Sequence, residues 1–132
     1  SPTAEERALL EKGRALFPIT CGGCHQPNGQ GLAGLAPPLD GSRWVQGDVR
    51  ILARIVLCGK VQEVYPMPTL RGSFDDDTIA AVLTYVRRAW GNSSGSVSRD
   101  TVAAARAATA NRNPMSYTDF ELIELAEGLG SH

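Results

Sequence analysis

The chain has 132 residues, three of them cysteine, and a formal net charge of −1. That length suits one domain of ordinary size, and a composition 42% hydrophobic and 20% charged excludes a disordered chain. The near balance of 13 basic and 14 acidic residues argues against nucleic acid as the main partner. No apolar run approaches the ~18 residues of a membrane span, and three cysteines are too few, and odd in number, for a disulfide scaffold. The aromatic fraction, 6%, is low for filling a core.

In chain order, the start Ser1-Pro2-Thr3, without initiator Met or signal segment, is that of a mature protein or an excised domain. Thr3 with Glu6 forms a capping-box pattern that predicts a helix over 4–17, stopped by Pro18. Cys21-Gly-Gly-Cys24-His25 follows, then a Gly- and Pro-rich loop over 26–42. Asp48 caps a second predicted helix ending near Cys58 and Gly59. After the loop Tyr65-Pro66-Met67-Pro68, Ser73 with Asp76 caps a third helix from Phe74 to Trp90. Its first-turn Asp75, Asp76 and Asp77 and its last-turn Arg87 and Arg88 complement the helix dipole. The stretch 91–96 reads as a linker. Ser98 opens an Ala-rich helix to about Ala110, and Thr118 with Glu121 boxes a last helix ending before Gly128. No strand-like alternation is present, so the chain reads all-α.

The spacing Cys21-x-x-Cys24-His25 is the attachment pattern for c-type haem. Two thiols so spaced reach the two vinyl groups of one porphyrin, and the adjacent His25 falls under the iron. Small residues between them let the backbone follow the porphyrin edge. Other chemistries use parts of the same set. A redox dithiol would sit in a βαβ context, Cys21, Cys24, His25 and Cys58 would suit zinc, and a disulfide across two residues would be strained. Met67 is the candidate for a sixth iron ligand, because its flanking prolines stiffen the loop in an extended form. Met115 and His132 are the weaker alternatives.

Over residues 4–90 the chain resembles class I c-type cytochromes, on Gly13 and Phe17, the CGGCH run, Pro37-Pro38-Leu39, YPMP and Tyr85. The resemblance implies a cytochrome c-like helical fold around one covalent haem over 1–91, followed by a linker and a helical extension packed on the core over 92–132. It implies that Gly13 and Tyr85 lie where the first and last core helices cross. Pro37 would accept the Nδ1–H of His25, fixing its tautomer, and Leu39 would pack on the haem. Trp44 would donate to a propionate, with Arg43, Arg54 and Arg71 as further candidates beside it. The runs around Trp44, YVRRAWGN and 102–122 further resemble the haem domains, often C-terminal, of large exported bacterial dehydrogenase-like proteins.

The cofactor-binding set is therefore Cys21, Cys24, His25, Pro37, Leu39, Trp44, Ile55, Tyr65 and Met67, with His25 and Met67 on the metal. Leu35, Val82 and Leu83 complete an apolar wall. Trp90 is expected to pack on the extension, and Cys58 to be a buried small hydrophobe. The expected function is electron transfer, not catalysis, from a periplasmic or fused dehydrogenase to a cytochrome or oxidase. The rival readings are an open-site haem enzyme or gas sensor, and a zinc module. The location implied by haem attachment in this family is the periplasm.

Overall fold

The computed structural model describes residues 2–33, 36–62 and 66–129. It contains six helices: α1 Ala4–Thr20, α2 Gly22–His25, α3 Val49–Cys58, α4 Asp76–Arg88, α5 Arg99–Ala108 and α6 Asp119–Leu129. Among the described residues there is no strand, only isolated bridges, so the fold is all-α. No described helix is long and apolar enough to cross a membrane.

α1 begins where Thr3 accepts the Glu6 amide at 3.1 Å. It does not stop at Pro18 but runs one turn fraction further to Thr20. The Thr20 hydroxyl donates to Leu16 O at 2.9 Å, and the Cys21 amide bonds Phe17 O. Those bonds satisfy last-turn carbonyls, and Pro18 costs the helix only the one bond its missing N–H would make to Arg14 O. α1 then hands over at Cys21 to α2, a single turn the sequence pattern does not announce, closed by the His25 amide on Cys21 O at 3.0 Å. The start of α4 also differs from expectation. Asp75, not Ser73, is its cap, accepting from the Thr78 amide at 2.8 Å, while Phe74 still turns back onto Leu70. α4 stops at Arg88, ahead of Trp90, and α6 runs through Gly128 to Leu129.

α1 lies against α4, and Gly13 makes the approach possible. A Cβ at Gly13 would sit 2.7 Å from Tyr85 Cβ and closer still to Ala81 O. The Phe17 and Tyr85 rings pack beside this crossing with centroids 5.5 Å apart. Trp90 completes that aromatic group, 5.5 Å from Phe17 and 5.9 Å from Tyr85, and donates to Pro27 O at 3.2 Å. It therefore packs on α1 and the 27–29 loop, not on the C-terminal extension as expected. The physical reason is its positive φ of 56°, which turns the chain back over the helix crossing.

α5 packs on α3 and α4, and α6 on α3. Val97, Val102, Ala105, Tyr117 and Leu122 share one buried cluster with Phe17, Leu57 and Ile79. The stretch 91–98 is pinned along the core. Asn92 is buried, donates to Leu39 O and Val86 O, and accepts from the Gly41 amide at 2.8 Å. Arg87, expected as a dipole partner, is instead buried and donates to Val45 O, Gly47 O and Gly95 O. Three carbonyls in range are what allow a guanidinium to be buried at that position.

Candidate functional site

The loop after α2 is folded back by backbone bonds from the Leu39 and Asp40 amides to Gly29 O, at 2.7 and 3.1 Å. This brings Pro37 over His25, whose Nδ1 lies 2.9 Å from Pro37 O. A carbonyl only accepts, so Nδ1 carries the proton and donates it. Nε2 is left with its lone pair. His25 is buried, and that burial pushes it below the ordinary histidine range, opposed by the bond to Pro37. Burial, the larger influence, favours the neutral imidazole, and the bond to Pro37 sets Nε2 as the nitrogen that suits a metal.

The main apolar cavity is lined by Cys21, His25, Leu39, Trp44, Ile55 and Met67, among others. A smaller one is lined by Cys24, His25, Pro37 and Met67. His25 and Met67 thus line both, with one cysteine on each. Val82 and Leu83 of α4 line the main cavity as well. Tyr65, Leu35 and His132 lie outside the described residues. Cys21 and Cys24 are free thiols; burial pushes the Cys21 thiol up, whereas Cys24 is exposed.

Met67 is half-buried, between Pro66 and Pro68, and its backbone pairs with Lys60 in both directions at 3.0 Å. The cavity also takes in residues the sequence reading did not single out, notably Ser42, Leu52, Val56, Lys60 and Gln62. Leu52 and Val56 share the face of α3 that carries Ile55, and that i, i+4 spacing was the signal available for them. Ser42, Lys60 and Gln62 come from loops and had none.

The three arginine candidates stand differently. The Arg43 guanidinium sits over the Trp44 ring, 4.5 Å from its centroid. Arg54 lies on α3 and does not line the cavity. Arg71 points away, donating to Arg106 O at 2.8 Å and Thr109 Oγ1 at 3.1 Å, because the extension supplies those acceptors. Met115, the weaker methionine candidate, is 3.4 Å from Arg71 and lines neither cavity.

Cys58 is fully buried on α3 and lines neither cavity, and among the described residues no three His, Cys, Asp or Glu gather as a metal site. The zinc grouping of Cys21, Cys24, His25 and Cys58 is therefore not brought together. The residues do fit a haem. The cavity is apolar, a histidine with a free Nε2 and a soft thioether line it, and two thiols precede that histidine at the attachment spacing.

Comparison with known proteins agrees. Residues 8–86 match the family described as cytochrome C oxidase, cbb3-type, subunit III. Two Thermus thermophilus proteins named cytochrome c-552 are similar to the chain. One is 32% identical over 96 residues, covering 64% of this chain and 65% of the relative. The other is 34% identical over 83 residues, covering 54% and 63%. The chain thus spans a little under two thirds of the length of these relatives. The family match takes in more than half of the chain, including most of α1, the CGGCH turn, α3 and most of α4, and so the chain belongs to the class I c-type cytochrome domains.

Proposed function

We propose that the chain carries one electron at a time on a single covalent haem c, held by thioethers from Cys21 and Cys24 and by His25 and Met67 as axial ligands. The observation that carries this reading is His25: Nδ1 is committed to Pro37 O at 2.9 Å, and the side chain lines the two cavities that Met67 also lines. When bound, the haem iron would supply a reversible one-electron couple, with His25 and Met67 as the residues that would hold it. The soft thioether of Met67 favours the reduced state, and the apolar walls from Leu39, Ile55, Val82 and Leu83 act in the same direction by excluding water. Pro37 holds the His25 ring in one tautomer, and Trp44, which lines the same cavity, would donate to a propionate.

Cys24 is exposed, so electrons would pass at that edge. Ile19 and Leu32, both exposed, flank the CGGCH turn in sequence and suit a small, short-lived contact with a redox partner. A net charge of −1 gives little long-range steering, so tethering to the donor would matter. A periplasmic or fused dehydrogenase is the proposed donor and a cytochrome or oxidase the acceptor, with the periplasm as location. The division into a haem-binding part, 1–91, and a linker plus extension, 92–132, belongs to the same proposal.

The test is the spectrum of the holoprotein and of Met67→Ala. The oxidised protein should show the far-red sulfur-to-iron charge-transfer band, and its reduced form should bind carbon monoxide slowly. Met67→Ala should lose the band, bind carbon monoxide rapidly and have a lower potential. A parent protein without the band that takes up carbon monoxide rapidly would instead be an open-site haem protein.

A further inference from the structure

We propose that the C-terminal extension braces the Met67 loop, with Lys60 as the positioning residue between them. The proposal rests on Met67 being an iron ligand. Segment 59–61 is the middle rung of a three-segment ladder. On one edge the Lys60 amide and carbonyl exchange bonds with Met67, both at 3.0 Å. On the other edge the Val61 amide bonds Tyr117 O at 2.8 Å, and the Tyr117 amide bonds Gly59 O at 3.0 Å. Gly59 is needed for this closeness. Its φ is 84°, and a Cβ there would lie 2.6 Å from Met67 O.

The Lys60 side chain repeats the link. It lines the main cavity, is only 13% exposed, and ends 2.8 Å from Asp119 Oδ1 at the start of α6. The far edge of the ladder is itself held. The Arg112 guanidinium lies 3.6 Å over the Tyr117 ring and donates to Met115 O, Ser116 O and Glu121 Oε2. Downstream of Met67 the extension grips again, through Arg71 on Arg106 O and Thr109. A pair of isolated bridges has little stability of its own. Here one edge is anchored in the packed core through buried Tyr117 and Leu122, which limits how far Met67 can leave the position its prolines set.

The experiment measures how fast imidazole displaces Met67 from the oxidised holoprotein, followed by loss of the sulfur-to-iron band. Asp119→Asn should speed displacement about two- to fivefold, the scale of one ion pair at the surface, and Asp119→Glu should restore the rate. Tyr117→Ala should speed it about tenfold or more, as a buried ring anchoring the ladder is lost. Arg99→Ala, which breaks the extension's ion pair to Asp77 away from the ladder, should leave it unchanged. Should Tyr117→Ala fail to fold, Asp119→Asn, whose carboxylate is exposed, decides alone. Rates equal to the parent in folded Asp119→Asn, or equally raised in Arg99→Ala, would overturn the brace alone. Absence of the band in the parent protein would overturn the Met67 assignment and the brace with it.

Discussion

At the scale of single residues, the site depends on groups with one free direction left. His25 commits one nitrogen to Pro37 and keeps one; Met67 is stiffened by its neighbours and paired to Lys60. Cys21, Cys24, His25 and Met67 can be picked from the sequence because their signals are local: a five-residue pattern, and prolines on either side of a thioether. Asn92, Arg87 and Lys60 cannot, because each acts on groups tens of residues away. Even Trp90, an obvious core residue, had its partner misjudged for that reason. The capping acids are a local case with a pH consequence. Glu121 accepts the Thr118 amide at 3.0 Å, which holds its carboxyl below the ordinary range, and Asp75 is lowered likewise by Thr78. A lowered folded pKa means stability that is present above the unfolded value, about 4, and lost as pH falls through the folded one. Glu121→Gln should therefore be less stable than the parent near neutrality, with the gap closing below about pH 4; denaturant melts across pH measure it, and a constant gap would contradict the capping role.

At the scale of elements, the helices were legible from caps and apolar stripes, while their ends were less so. Thr3, Asp48, Ser98 and Thr118 cap as their sequence context indicates. Pro18 did not end α1, since one missing N–H near a helix end removes only one bond while Thr20 and Cys21 still bond the last-turn carbonyls, and three consecutive aspartates at 75–77 concealed which one caps α4. α2 has only four residues, too short for any periodic signal. The α1–α4 crossing carries a clear prediction. Gly13→Ala puts a methyl group into Ala81 and Tyr85, so the helices must part. Overpacking of this kind costs about 1–3 kcal/mol, readable as a lower Tm of the holoprotein; an unchanged Tm would mean that the helices do not meet there.

At the scale of the whole molecule, the low aromatic count and the odd cysteine number find their place. Phe17, Tyr85 and Trp90 are concentrated at one crossing, leaving a wide apolar cavity among aliphatic side chains where a porphyrin would complete the core. The extension is part of that core through Val97, Val102 and Leu122, a packing that the family resemblance implied, though which residues meet was not readable because each contact joins segments far apart in the chain. Cys58, fully buried, is the thiol left over after Cys21 and Cys24. The central claim, that this cavity holds one haem joined covalently through those two residues, is tested most directly by the intact mass of the chain produced in a haem-attaching bacterium, after unfolding and alkylation. The account predicts the mass of the chain plus one haem and one alkyl group, the latter on Cys58. A chain without haem that takes up three alkyl groups would contradict it.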